Sequence, residues 1–198
     1  APLTTPSPPA LRSGRPAPAP PGRTPPILLY KPRGAVTTLS DEKGRSTVAE
    51  LLPPELGRLY PVGRLDRFSE GLLLMTNDGA LAQRLTHPAG EVDKTYRLWV
   101  SGWTDEALAL LRRPLVLDGK KIQPPRVELL WQRNGVCELE ITIHEGRNRQ
   151  IRRMAQAAGL TVTRLKRVAE GPLRLGDLKP GQWRRLTEAE LQQLKIES

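Results

Sequence analysis

The chain has 198 residues, with 31 Lys and Arg against 21 Asp and Glu, for a formal charge of +10 at pH 7. That balance suits a polyanionic partner whose phosphates the cations neutralise, a generally basic soluble surface being the alternative. One cysteine excludes an internal disulfide and a cysteine-rich zinc site, and no stretch has the apolar length of a membrane span or signal core, so a reducing cytoplasmic setting is expected.

Residues 1–26 contain 10 of the 20 prolines, three arginines and no acid. Too few apolar side chains lie there to offset the entropy of ordering, so 1–26 reads as a disordered basic tail and 27–198 as one domain. ILLY at 27–30 reads as a short buried strand stopped by Pro32 and Gly34. Ser46 is placed to cap a brief helix through TVAELL, which ends at Pro53 and Pro54. GLLLMT, apolar without alternation, reads as a strand buried on both faces. Thr76 or Asn77 then starts a helix through DGALAQRL, with Asp78 in its first turn. KTYRLWVSG alternates as a strand, Thr104 begins the helix DEALALLRR, and PLVLDGKKI, RVELLWQ and VCELEITIHEG supply further strands. In the last of these, Cys137 alternates with Leu139, Ile141 and Ile143, which makes it a core residue rather than a nucleophile.

GRNRQIRRMAQAAG (146–159) changes period. Ile151, Met154, Ala155 and Ala158 mark a buried helical face, and Arg149, Arg152, Arg153 and Gln156 fall opposite, with Gly159 as a stop. LTVTRLKRV follows as a strand, and Thr187 with Glu190 forms a capping box for a final helix. Strands outnumber helices without alternating regularly with them. The expected class is α+β, a mixed, mostly antiparallel central sheet flanked by helices and loops.

Three features carry possible chemistry. Asp66 sits between Arg64 and Arg67 in VGRLDRFSEG, where Gly63 and Gly71 permit turns at the entrance to a buried strand. The neighbouring arginines favour a charged carboxylate, which serves either an ion pair closing a loop or catalysis on a rigid base. Arg147, Arg149, Arg152 and Arg153 form a surface of one sign, suited to phosphates or to a carboxylate partner, whereas a merely solvated face mixes signs. Tyr96 fits a core position by its period, or a stacking position beside a basic cleft. His87 and His144 are too isolated for a metal pair.

These stretches, in this order, resemble the RsuA/RluB/RluE/RluF group of ribosomal RNA pseudouridine synthases: YKPRG at 30–34, GRLDRFSEGLLLMTNDG at 63–79, KTY at 94–96, EGRNRQIRRM at 145–154 and RLKRVAEGPLRLGDLKPGQWRRLT toward the end. The resemblance implies the pseudouridine synthase fold with a basic active-site cleft, and isomerisation of a uridine in ribosomal RNA to pseudouridine. It makes Asp66 the catalytic aspartate, Tyr96 the ring packed against the target base, Arg152 the partner of the carboxylate and Arg64 the arginine that opens or holds the nucleotide. Lys31, Arg33, Arg147, Arg149, Arg153, Lys166 and Arg167 become candidate RNA contacts, with Lys31, Pro32 and Gly34 also shaping the cleft. Neither a cofactor, a nucleotide nor a metal is implied. The partner expected is ribosomal RNA or a pre-ribosomal particle, bound by a monomer. Only the proline-rich stretch stands before Ile27 where many relatives carry an S4-type module, which looks like the RluE-type arrangement or a chain from which that module was removed, and likeness to RluE favours the large subunit.

Two other readings use the same residues. A ribosome-assembly or RNA-binding protein has the charge and the arginine face but no use for a buried carboxylate beside Tyr96 and Arg152. A glycoside hydrolase also breaks a bond at an anomeric carbon, yet it needs a second convergent carboxylate, for which Glu70 is nearest.

Overall fold

The computed structural model describes residues 25–38, 42–87, 92–147 and 149–197. In chain order these form β1 (Ile27–Lys31), two short 3-10 turns (Val48–Leu51 and Pro54–Leu56), β2 (Tyr60–Val62), β3 (Glu70–Thr76) and α1 (Gly79–Thr86). β4 (Lys94–Ser101), α2 (Ala107–Arg112), the small hairpin β5 (Val116–Leu117) and β6 (Lys120–Lys121), β7 (Arg126–Arg133) and β8 (Val136–Ile143) follow. α3 (Gln150–Ala157), β9 (Thr161–Glu170), β10 (Leu173–Arg174), β11 (Trp183–Arg185) and α4 (Glu188–Glu197) complete the chain.

The large sheet runs β11-β1-β3-β9-β4-β8-β7, with β2 added to β3 and β10 to β9. Every pairing in it is antiparallel except β3 with β9, so the class expected from the sequence is the one found. β3 is buried at all seven positions because its alternate side chains enter different layers. Leu73 and Met75 join the larger core with Tyr96, Leu98, Ile141 and Ile151. Leu72 and Leu74 join a second core, with Leu28, Tyr30, Leu81 and Leu194. β4 and β8 bury only one face, and their pattern alternates accordingly. Cys137 is buried in the larger core, where burial pushes its thiol up to about 11.

The one parallel pairing brings the Asp66 loop against β9. Gly71 lies opposite Arg167 with a φ of 112°, and a Cβ at that position would collide with the Arg167 backbone. Glycine is therefore required for the close approach that joins the two halves of the sheet.

The local signal holds at α4, whereas α1 starts later than expected, at Gly79, with the cap at Asp78 and not at Thr76 or Asn77. Asp78 itself caps α1, its Oδ1 accepting from the Ala80 and Leu81 amides at 3.1 and 3.2 Å. Thr187 and Glu190 exchange the two bonds of a capping box at 2.9 and 3.1 Å. Elsewhere the ends shift. Ser46 is not a cap, because its carbonyl accepts from the Val36 amide at 2.8 Å and holds the chain extended; the helix shrinks to the 3-10 turn after Thr47. α2 starts at Ala107, three residues past Thr104. The packed chain also begins before Ile27, since Pro25 and Pro26 are buried and the Pro26 carbonyl accepts from the Leu186 amide at 3.2 Å. The rest of the expected tail, residues 1–24, lies outside the described residues. No helix among the described residues is long and apolar enough to cross a membrane.

Candidate active site

The approach to β3 turns sharply, with the Ser69 amide donating to the Asp66 carbonyl at 3.1 Å. Lys31, at the end of β1, fastens this turn from below: its Nζ donates to the carbonyls of Ser69 (2.7 Å), Arg67 (3.2 Å) and Pro32 (3.1 Å). The Gly34 amide adds a bond to the Arg67 carbonyl at 2.6 Å. Asp66 is thereby presented on a loop whose backbone is tied at several points, at the wall of a cleft of about 780 Å³.

The first turn of α3 meets it. Asp66 Oδ2 accepts from Arg152 Nε at 3.1 Å, lies 3.3 Å from Arg149 Nη1, and receives a longer bond from Ser69 Oγ at 3.4 Å. Arg152 Nη2 also donates to Ser69 Oγ at 3.1 Å, so aspartate, serine and guanidinium close a ring of contacts. The helix N-terminus behind Arg149 and Arg152 adds a favourable field for the anion. Among the described residues all these bonds fall on Oδ2, and Oδ1 has no protein hydrogen-bond partner.

α3 is set by a side chain with no apolar character. Gln150 is 2% exposed, accepts from the Arg147 amide at 3.1 Å and donates to Glu145 at 2.8 Å. It lies on the buried arc beside Ile151 and Met154, a position that a polar residue at the helix start does not announce. Arg149 supports the turn with a left-handed φ of 52°.

Tyr96 lines the same cleft, 8% exposed, on β4 opposite Arg167 of β9 at a register shift between Thr95 and Tyr96. Burial raises its phenol above the ordinary value, so the ring stays neutral. The structure thus brings Asp66, Tyr96 and Arg152 into one cleft, together with Arg64, Arg147 and Arg149. Arg64 is exposed at its wall.

Several sequence expectations are corrected. The cations on Asp66 are Arg149 and Arg152, distant in sequence, and not the flanking Arg64 and Arg67. Arg67 Nε instead donates to the Gly34 carbonyl at 3.3 Å. Lys31, expected as an RNA contact, presents no surface for one: it is fully buried under three carbonyls, and burial lowers its ammonium to about 8. Arg167 is 2% exposed, donates Nε to the Leu72 carbonyl at 2.8 Å and sits 3.7 Å from Glu170, so it belongs to the cleft floor and not to a phosphate surface. Lys166 is outside the cleft wall, over the Tyr30 ring at 5.4 Å. Arg153 faces Asp118 through two bonds of 3.0 and 3.2 Å, so the helix surface is not of one sign. Arg33 is exposed outside the cleft wall.

Glu70 is no second acid in the cleft. It is held by Arg164 at 2.6 and 3.1 Å and by the Tyr30 hydroxyl at 2.5 Å. Burial works to raise its carboxyl, but the bonds from Arg164 and Tyr30 prevail and keep it below 4.5. Among the described residues no group of three His, Cys, Asp or Glu is placed to hold a metal. What the cleft offers is the anchored Asp66 carboxylate with an unpartnered oxygen, a second carboxylate at Glu170 that is buried 3.7 Å from Arg167, a buried ring and a cationic wall. That combination suits attack or proton removal on a bound nucleotide's sugar and the holding of its base.

The chain matches a family model described as RNA pseudouridylate synthase over residues 26–157, the span that contains Asp66, Tyr96 and Arg152. It is 43% identical over 172 residues to the ribosomal large subunit pseudouridine synthase B of Bacillus subtilis, covering 85% of this chain and 70% of that protein. Ribosomal large subunit pseudouridine synthase E of Vibrio vulnificus is 40% identical over 176 residues, covering 81% and 74%. A crystal structure of a pseudouridylate synthase superposes with a TM-score of 0.76 at 31% identity, covering 86% of this chain and 73% of that one.

Proposed function

The chain belongs to the RNA pseudouridylate synthases, and from that premise we propose that it isomerises a uridine of large-subunit ribosomal RNA with Asp66 as its catalytic carboxylate. The observation that carries this reading is the asymmetry of Asp66. One oxygen is fixed by Arg149, Arg152 and Ser69, and the other has no protein hydrogen-bond partner among the described residues. A carboxylate needed only to close a loop would have no reason to keep an oxygen free in a cleft of this size.

The reaction breaks the N1–C1′ bond, turns the base, joins C5 to C1′ and moves the C5 proton to the medium while N1 gains one. No atom or electron is lost overall. The free oxygen of Asp66 begins this sequence by bonding C1′ or by removing a sugar proton; both routes need the same placement. The target must leave its stack to enter the cleft, and Tyr96 supplies a neutral ring for the base once it arrives. Arg64 and Arg147 stand in the cleft wall, where phosphates of the flipped nucleotide would pass.

Asp66→Asn preserves shape and removes the charge. Incubated with a large-subunit ribosomal RNA transcript, the wild type should yield pseudouridine, detected by mass spectrometry of the labelled digest. The variant should yield none while its RNA affinity stays within about threefold. Turnover by Asp66→Asn at the wild-type rate would remove Asp66 from the mechanism. Mapping the labelled position by reverse transcription identifies the uridine and tests the subunit assignment.

A further inference from the structure

Phe68 is the chain's one phenylalanine, and it stands 52% exposed two residues after Asp66. The turn that carries it gives it no freedom to bury itself. The carbonyls on either side, of Arg67 and Ser69, are both bonded to Lys31 Nζ, and the Arg67 carbonyl also takes the Gly34 amide. The ring is therefore held out from a fixed backbone. Two guanidiniums attend it: Arg67 Cζ lies 5.2 Å and Arg33 Cζ 5.8 Å from the ring centroid. Arg67 is tethered through Nε to the Gly34 carbonyl and lines the cleft, so Phe68 is one side chain away from the space that receives the target.

A single exposed aromatic is ordinary on a protein surface. This ring differs in its surroundings. Cations beside it discourage an apolar protein partner, which would have to desolvate both charges. A partner with flat π-faces strung on phosphates satisfies the ring and the guanidiniums together. Extraction of a uridine also leaves its neighbours with an exposed face.

We propose that Phe68, with Arg33 and Arg67, is a stacking platform for an unpaired base flanking the target uridine, the two guanidiniums engaging the adjoining phosphates. The inference rests on the RNA-modifying reading above. It assigns the arrangement a positioning role in substrate binding outside the pocket of the reacting base. It also gives Arg33, which the cleft does not use, a function.

The test uses the full chain and a short stem-loop carrying the mapped uridine. Phe68→Leu keeps apolar bulk without a π-face and should raise KM about tenfold, with the loss carried by KM and not by kcat. Phe68→Trp should restore it. An abasic nucleotide placed in turn on each side of the target should, at one position, cost the wild type the same factor and cost Phe68→Leu nothing further. An unchanged KM in Phe68→Leu, or losses that multiply at both positions, overturns the platform. A separate readout distinguishes this from failure of the enzymatic reading: a short single-stranded RNA containing 2-aminopurine should be quenched on binding the wild type and not Phe68→Leu. Equal quenching by both proteins overturns the platform even if turnover is normal. Quenching confined to the wild type supports it even if no uridine is converted.

Discussion

Arg149 and Arg152 reach the same carboxylate oxygen, but they are not equivalent. The Arg152 side chain is 17% exposed and also bonds Ser69 Oγ, whereas that of Arg149 is 51% exposed and, among the described residues, bears only on Asp66. An exposed pair is weakened by solvent screening and by the entropy of fixing a long side chain. Removing Arg152 instead frees both the aspartate and the serine that orient each other. Arg152→Met should therefore lower kcat on the order of a hundredfold, the scale expected when a reacting group is misplaced, and Arg149→Met about tenfold or less. Arg152→Lys should fall between them, because an ammonium keeps the charge and loses the planar fork that spans both partners. Single-turnover rates on samples shown to be folded by circular dichroism check the order. Equal rates for the two Met variants would mean that burial and the serine contact contribute nothing. The partnership of Arg152 with Asp66 was legible in the sequence only through family resemblance. The flanking Arg64 and Arg67 are the neighbours a local reading chooses, and the turn at Asp66–Ser69 sends their side chains elsewhere.

Secondary-structure elements were readable wherever a local rule decides them. The continuous apolar run of β3, the alternation of β8 and the capping box of α4 each follow from residues within one segment. Polar burial was not readable, because it depends on which strands become neighbours. Glu70 opens β3, Arg164 belongs to β9 and Tyr30 to β1, and only the order β1-β3-β9 brings them together. The same order buries Lys31 and Arg167, which local sequence presents as surface cations. The Glu70 cluster makes this joint pH-sensitive. Its carboxyl is held below 4.5 in the folded chain, so its contribution is fully present above that value and is lost as pH falls through the lower folded one. Glu70→Gln should cost about 1 kcal/mol at pH 7, discounted because Arg164 is half-exposed, and the gap between the two proteins should narrow as pH falls below the ordinary carboxylate range. Urea midpoints from pH 7 down into acid provide the measurement, and a gap that does not narrow with falling pH would contradict the assignment. The same variant should still convert uridine, since Glu70 is outside the cleft wall; a glycosidase-like role would require the opposite.

At the scale of the whole molecule, the proposed function assigns attraction to the charge of +10 and chemistry to the cleft, and salt separates the two. Packing is established from Pro25 onward, where the Pro26 carbonyl is bonded to Leu186. Residues 1–24 carry Arg12, Arg15 and Arg23 with no acid to balance them. We expect this segment to hold RNA by its phosphates and to leave the cleft to the folded part, as its proline-rich composition implies. Each phosphate neutralised adds roughly 0.7–0.9 to the slope of log affinity against log salt. Deleting 1–24 should thus flatten that slope by at most about two to three and weaken binding most at low salt. At saturating RNA, turnover should stay near that of the full chain, because Asp66, Tyr96 and Arg152 are all positioned by residues after Pro25. Tyr96→Ala should do the reverse. It removes no cation, so the slope persists, while kcat collapses for want of a surface to hold the base. Salt titrations of affinity paired with single-turnover assays on the two variants distinguish these behaviours. If the truncated chain binds RNA with an unaltered slope, the three arginines do not meet phosphate. If it stops turning over at saturation, residues before Pro25 contribute to the active site and the division of labour between tail and cleft is wrong.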